Sequence, residues 1–237
     1  MPTSSVPPVP LTLVLLSGGL DSAVLAAHEA QGGPVAPVYV RVGLAWEALE
    51  LAMVEHLLAH PSLAGTVGPL TVVDFTMRDV YAPSHWAVRG APPGYDTPDE
   101  RVYLTGRNLV LLSKAGVLAA SKGAERIAIG PLAGNPFPDA RPVFFEAMQR
   151  ALSLGLDHSL EVVTPFLRWR KEDVIRRGIE LGVPLGLTLS CMGPVVPAGL
   201  SRVPRHCGQC SKCRERRDAF AAIGQADPAE YAGASPR

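Results

Sequence analysis

The chain has 237 residues, 47% of them hydrophobic, enough for one large α/β core and a small appendage. Its 22 basic and 22 acidic residues cancel to zero net charge, so no broad cationic field exists to hold duplex nucleic acid or an anionic membrane. Residues 1–10 have no basic n-region and are broken by Pro2, Pro7, Pro8 and Pro10, and no apolar run approaches membrane-spanning length, so a cytoplasmic protein with a flexible N-terminus is expected.

Residues 11–16 form a short branched apolar run that predicts a strand buried on both faces, and 23–30 predict a helix. Between them lies Ser17-Gly18-Gly19-Leu20-Asp21-Ser22, a tight strand-to-helix turn. Its glycines let the backbone approach a ligand, and the first helical amides point unpaired at whatever sits above them. That describes an anion site, with a phosphate group as the expected anion. A plain turn would need the glycines alone. Ser17, Asp21 and Ser22 add hydroxyls and a carboxylate, which favours the functional reading.

Residues 34–42 predict a second strand, 45–60 a helix with Leu49, Ala52, Met53 and Leu57 at helical spacing, and 70–75 a third strand. This alternation predicts a doubly wound, mainly parallel α/β sheet with its ligand crevice at the carboxyl ends of the strands. Residues 76–103 break the rhythm with Pro83, Pro92, Pro93, Gly94 and Pro98, and read as a lid over the crevice. Tyr81, Trp86, Tyr95 and Tyr103 could stack on a flat ring or pin this loop to the domain, and the residues do not choose between the two.

Gly106, Arg107 and Asn108 then open a helix predicted over 109–122, apolar at Leu109, Leu112, Val117 and Ala120. A charged turn between two apolar elements has no packing purpose, so Arg107 reads as functional. A fourth strand at 124–129 delivers the loop 130–141, with Asp139 and Arg141, to the rim of the sheet. A helix over 142–154, an edge strand at 162–166 and a helix over 170–181 complete the α/β region. For Asp139 and for Lys171, at the start of that last helix, surface charge or capping competes closely with a role in the site.

From residue 189 the α/β pattern stops. Cys191 is followed, after fifteen residues, by Cys207-Gly-Gln-Cys210-Ser-Lys-Cys213. Two Cys-x-x-Cys turns and a fourth thiol can wrap one tetrahedral ion; structural zinc is the best candidate, and an iron–sulfur cluster uses similar spacings. In a chain without an export signal this argues against disulfides. Arg202, Arg205, His206, Lys212, Arg214, Arg216 and Arg217 surround the cysteines. They read first as groups that solvate a small lobe and offset thiolate charge, and second as an RNA- or phosphate-binding patch. The chain thus divides into a flexible 1–10, an α/β domain with the anion loop over 11–188, a cysteine lobe over 189–224 and a tail over 225–237 expected to fray.

Taken together these motifs resemble a known family. Ser-Gly-Gly-x-Asp-Ser is similar to the pyrophosphate (PP) loop of the ATP pyrophosphatases, whose fold is the Rossmann-like adenine nucleotide alpha hydrolase type. The Gly-Arg-Asn turn, the Pro-Asp-x-Arg loop and the terminal Ser-Cys with Cys-x-x-Cys-x-x-Cys resemble the 7-cyano-7-deazaguanine synthases of queuosine biosynthesis. The resemblance implies an ATP-dependent ligase that adenylates 7-carboxy-7-deazaguanine and uses free ammonia to form first the amide and then the nitrile.

The same resemblance implies that Ser17, Gly18, Gly19, Leu20 and Ser22 cradle phosphates and that Asp21 helps hold Mg²⁺. It implies that Gly106, Arg107 and Asn108 face nucleotide or substrate, that Asp139 and Arg141 read the heterocyclic acid, and that Lys171 neutralises departing pyrophosphate. Cys191, Cys207, Cys210 and Cys213 would hold Zn²⁺. The chain departs from the family pattern at Val42-Gly43-Leu44, Thr105, Ala140 and Arg170, all on the substrate side. A related acid, a protein partner that is deazaguanylated, a transfer-RNA sulfur transferase and a non-catalytic nucleotide-binding module are the competing readings. A homodimer is compatible with the sequence, which does not set the oligomeric state.

Overall fold

The computed structural model describes residues 9–197 and 203–233. Five strands form one all-parallel sheet in the order β3-β2-β1-β4-β5: β1 Thr12–Leu15, β2 Val35–Arg41, β3 Thr71–Asp74, β4 Arg126–Ala128 and β5 Glu161–Val163. The helices between them are α1 Leu20–Glu29, α2 Glu47–Ala59, the single turn α3 Trp86–Arg89, α4 Arg107–Lys122, α5 Pro142–Leu156 and α6 Lys171–Glu180; α7 Ser211–Ala222 follows the cysteines. No helix among the described residues is long and apolar enough to cross a membrane.

β1 is central because all four of its residues are buried. The period of two splits its side chains between the faces of the sheet. Leu13 and Leu15 join Val38, Leu112, Ala119 and Phe145 under α4 and α5, while Val14 joins Val24, Val54, Val174 and Phe220 under α1, α2, α6 and α7. Each such valine, leucine or phenylalanine side chain, fully buried, contributes about 1.5–3 kcal/mol. On α4 the buried stripe runs through Val110, Leu112, Ala115 and Ala119. Leu109 and Val117, expected inside, are 49% and 56% exposed, because the sheet meets the stripe centred on Leu112 and they lie off it.

The cysteine segment is not packed apart from the sheet. Cys191, Cys210 and Cys213 belong to the same buried cluster as Leu13 and Val38. The tail also differs from expectation, since residues 225–233 dock on the lobe. The buried guanidinium of Arg216 donates to both carboxylate oxygens of Asp227 at 2.9–3.1 Å, to the Thr188 hydroxyl at 2.6 Å and to the Leu185 carbonyl at 2.8 Å. Tyr231 donates its hydroxyl to Asp227 at 2.6 Å, and the His206 N–H donates to the Glu230 carbonyl at 3.0 Å. A polar, proline-bearing tail has no apolar face to announce docking; one buried arginine needing a counterion supplies the reason. Residues 1–8 and 234–237, read as flexible termini, and Arg202 lie outside the described residues.

Candidate active site

Residues 17–22 turn from β1 into α1 at the carboxyl edge of the sheet. Gly18 has φ +78°, and a Cβ there would lie 2.8 Å from Cγ2 of Val54 and 3.3 Å from the Glu50 carbonyl, so the turn can pass α2 only with glycine. Inside the turn, the Ser22 hydroxyl donates to the Gly19 carbonyl at 2.9 Å and accepts from the Ser17 N–H at 3.2 Å. The loop is therefore set by its own hydroxyls. Ser17, Gly19, Leu20 and Asp21 line a cavity of about 390 Å³, and Ser22 lines an adjoining recess of about 210 Å³. Gly18 lies behind the wall and shapes the loop.

Charged groups from five helices, α1, α2, α4, α6 and α7, meet in the main cavity. Asp21 of α1 accepts from Lys171 Nζ of α6 at 2.5 Å, and its other oxygen is buried with no partner. Lys171 also pairs with Glu215 Oε1 of α7 at 3.0 Å. Burial opposes the charge on Lys171, but the carboxylates of Asp21 and Glu215 outweigh it and raise its pKa. Burial likewise acts against ionised Glu215, but Lys171 and Lys212 hold it at about 2. Arg107, the first residue of α4, lines both spaces, and its Nε is buried and unpaired. A buried carboxylate oxygen and a buried guanidinium N–H left unsatisfied at the mouth of an anion loop fit a ligand that brings a cation and phosphate oxygens.

Asn108 locks the rim loop: its N–H donates to Asp139 Oδ2 at 3.0 Å and its side-chain amide to the Asp139 carbonyl at 2.9 Å. Asp139 is 6% exposed and lines the cavity, and burial raises its pKa against the pull of the Asn108 N–H and Arg107. Arg141 does not join it. Its side chain is exposed and outside the cavity wall, because Arg141 is the residue from which α5 springs and it faces away from the crevice. Gly106, at φ +73°, supplies the left-handed turn before α4 and does not line the cavity.

The segment 76–103, read in the sequence as a lid, contributes Trp86, Asp99, Val102 and Tyr103 to the wall. Trp86 stacks on Trp46, with centroids 5.7 Å apart and planes at 11°, and Tyr103 stacks on Phe137 at 4.8 Å. Tyr81 instead pins the segment: it is 8% exposed and donates to the Thr105 carbonyl at 3.0 Å. Tyr95 is half-buried and lies outside the cavity wall. Two departures from the family pattern, Leu44 and Ala140, are buried and do not reach the cavity; Trp46 is what the turn after β2 presents there. That turn is fixed by Glu47, which accepts from the Val42 N–H at 2.7 Å and the Gly43 N–H at 3.0 Å.

Four sulfurs converge as well. The Sγ atoms of Cys191, Cys207, Cys210 and Cys213 all lie within 4.8 Å of one another, with separations of 4.0 Å (Cys191 to Cys210), 3.9 Å (Cys207 to Cys213) and 3.5 Å (Cys210 to Cys213). A tetrahedron with metal–sulfur bonds of about 2.3 Å has edges of about 3.8 Å, so the set fits one ion. Backbone N–H groups of Gly193 and Cys207 aim at Cys191 Sγ at 3.4 and 3.3 Å, as a ligating thiolate requires. Four of the surrounding arginines are engaged by neighbours. Arg205 pairs with Glu230 at 2.6 Å, Arg214 with Asp96 at 3.7 Å and Arg216 with Asp227, while Arg217 lies 3.9 Å over the Tyr231 ring.

Several groups in the site escape sequence reading. Ser190 accepts from the Leu20 N–H at 3.1 Å, while its own N–H donates to Nε2 of His206 at 3.0 Å. Burial holds the His206 imidazole down at about 4, so it stays the neutral acceptor this bond needs. Glu50, 7% exposed, lines both spaces and accepts from the Tyr39 hydroxyl at 2.8 Å; burial lifts it to about 7 despite Arg107 and Tyr39. Glu50 and Glu215 carry no signal in the sequence beyond ordinary helix-surface charge, and Lys212 reads there only as one of the basic residues around the cysteines, solvating the lobe or forming an RNA- or phosphate-binding patch. Ser190 had one signal, its place before Cys191.

A family model described as Queuosine biosynthesis protein QueC matches residues 11–224. The 7-cyano-7-deazaguanine synthase of Caldicellulosiruptor bescii is 35% identical over 229 residues, covering 92% of this chain and 96% of the relative. The protein of that name from Methanoculleus marisnigri is 34% identical over 234 residues, with 92% and 96% covered. The one from Rhodopirellula baltica is 36% identical over 232 residues, with 92% and 90% covered.

Proposed function

Because this chain belongs to the QueC family of queuosine biosynthesis proteins, we propose that it converts 7-carboxy-7-deazaguanine into 7-cyano-7-deazaguanine at the expense of ATP. The observation that carries this reading is the unsatisfied Asp21 oxygen beside Lys171 and Arg107 in one cavity at the phosphate-type loop. Asp21 would hold Mg²⁺, which supplies charge neutralisation at the phosphates. Ser17, Gly19, Leu20 and Ser22 bind the β and γ phosphates through hydroxyls and helix-terminal N–H groups, and Arg107 and Lys171 meet the remaining negative charge.

In this reading the acid lies beneath the lid, where Asp139 accepts from a guanine-like edge and Tyr103 and Phe137 offer flat faces. A carboxylate is a poor electrophile, since oxide would have to leave; transfer to the α-phosphorus of ATP replaces it with AMP as leaving group and releases pyrophosphate. Ammonia attacks the carbonyl carbon and AMP departs, giving the amide. Adenylation of the amide oxygen by a second ATP, with loss of two protons from nitrogen and departure of AMP, leaves the nitrile. The chain's own contribution is positioning and fixed positive charge.

Zinc is the ion assigned to Cys191, Cys207, Cys210 and Cys213: four thiolates suit it, and a closed four-sulfur set is structural. Residues 11–188 are the ATP-binding unit and 189–224 the metal lobe. The reading assigns the enzyme to the cytoplasm, where thiolates stay reduced. Mass spectrometry of the products from ATP, ammonia and 7-carboxy-7-deazaguanine tests it. Nitrile with AMP and pyrophosphate supports it; ATP turnover only with a different acid or a protein acceptor overturns the substrate assignment, and ADP with phosphate overturns the adenylation step.

A further inference from the structure

Two lysines face the main cavity, and a single carboxylate joins them. Glu215 accepts from Lys171 through Oε1 at 3.0 Å and from Lys212 through Oε2 at 2.6 Å. Lys171 continues to Asp21 of the phosphate-type loop at 2.5 Å, and Lys212 continues to Asp99 of the lid at 3.3 Å. The five groups Asp21, Lys171, Glu215, Lys212 and Asp99 all line the same cavity and alternate in sign. An ammonium group has three donors, and each lysine has given two to carboxylates. Each keeps one for a ligand. The two nitrogens are held by the two oxygens of one carboxylate, at 3.0 and 2.6 Å, so they sit as neighbours on the cavity wall, where one polyanion can meet both.

We propose that Lys212 is a second phosphate-binding cation of this site, and that Glu215 is the positioning residue that holds Lys212 and Lys171 side by side for pyrophosphate. The proposal rests on the reading that ATP is cleaved here. As the carboxylate oxygen of the acid bonds to the α-phosphorus, the bond from that phosphorus to the α–β bridging oxygen breaks, and its electron pair leaves on pyrophosphate. The charge gathers on the side of the cavity where α6 and α7 present their lysines. Lys171, paired to Asp21, serves the end next to the loop; Lys212 serves the end beneath the lid. Because the same ammonium also holds Asp99, an anion taken by its third donor sits beside the contact between α7 and the segment 76–103.

Binding of magnesium pyrophosphate and magnesium ATP by calorimetry tests this without turnover. Lys212→Gln is expected to weaken pyrophosphate about tenfold, the loss of one charge-assisted hydrogen bond, and Lys212→Arg to stay within about threefold of wild type. Glu215→Gln should weaken both ligands by roughly the same factor as Lys212→Gln, and Asp99→Asn should change pyrophosphate binding less than about twofold. Melting temperature and metal content confirm that each variant is folded.

Unchanged pyrophosphate binding in Lys212→Gln overturns the proposal. So does an Asp99→Asn variant that reproduces the whole Lys212→Gln effect, since Lys212 would then act only as a lid tie. A wild type that binds both ligands but releases no pyrophosphate with the acid and ammonia overturns the synthetase reading alone, because the binding comparison still decides the role of Lys212.

Discussion

The backbone N–H of Leu189 donates to the carbonyl oxygen of Gly18 at 2.7 Å, joining the segment that carries Cys191 to the loop that opens α1. One residue on, Ser190 accepts from Leu20. The sulfur cluster and the phosphate-type loop therefore share a wall, and disturbing one reaches the other.

The first expectation follows directly. Cys210→Ser should release the metal and lower the melting temperature by about 10 °C, since several kcal/mol of metal-coupled folding energy is lost in a chain of this size. Elemental analysis and thermal unfolding on the same sample check it. ATP affinity should fall with metal content, because Leu189 and Ser190 lose their anchor.

Asp21→Ala should cut pyrophosphate release by about a thousandfold or more while circular dichroism stays native, since it removes the proposed Mg²⁺ ligand from a site that works by fixed charge. Turnover within tenfold of wild type would refute that role.

Glu50 gives a pH signature. Its folded pKa of about 7 lies above the ordinary 4.5, so the folded state keeps a proton that the unfolded chain has released. Stability from this group is complete below about pH 4.5 and is lost as pH rises through 7, by on the order of 3 kcal/mol in all. Glu50→Gln keeps an acceptor for the Tyr39 hydroxyl and removes the titration. Urea unfolding at pH 5 and pH 8 should show a smaller loss of stability for the variant; equal slopes would contradict this.

Asp227→Ala leaves the guanidinium of Arg216 buried without its counterion and should destabilise the protein by about 3–5 kcal/mol. Replacing Arg216 and Asp227 together by apolar residues of similar volume should recover most of that loss, and chemical denaturation of the three variants measures it.

Much of this architecture was legible in the sequence. The apolar run at 11–16, the Ser17 to Ser22 turn and the alternation of strand and helix specify a parallel sheet with a crevice above β1, and the cysteine spacing specifies the sulfur cluster. Local pattern carries such information. The site's other half was hidden because it is made by tertiary proximity. Glu215 looks like a helix-surface charge, and Lys171, 44 residues away, stays divided between surface charge and a role in the site until α6 packs on α7. Leu109 and Val117 misled because helical periodicity gives spacing without saying which stripe meets the sheet. Arg141 misled because it is the residue from which α5 springs, exposed and outside the cavity wall, although Asp139 two residues before it lines the cavity.

The stack of Trp46 on Trp86 gives the molecule an optical reporter of its own. One indole belongs to the turn after β2 and the other to the lid, and the third tryptophan, Trp169, rests on Phe166 in a different aromatic cluster. Two nearly parallel rings 5.7 Å apart couple their excited states, a coupling that fades steeply as they separate. Near-ultraviolet circular dichroism therefore reads the distance between lid and sheet in unlabelled enzyme, through a pair of side chains that sit on the wall of the cavity itself.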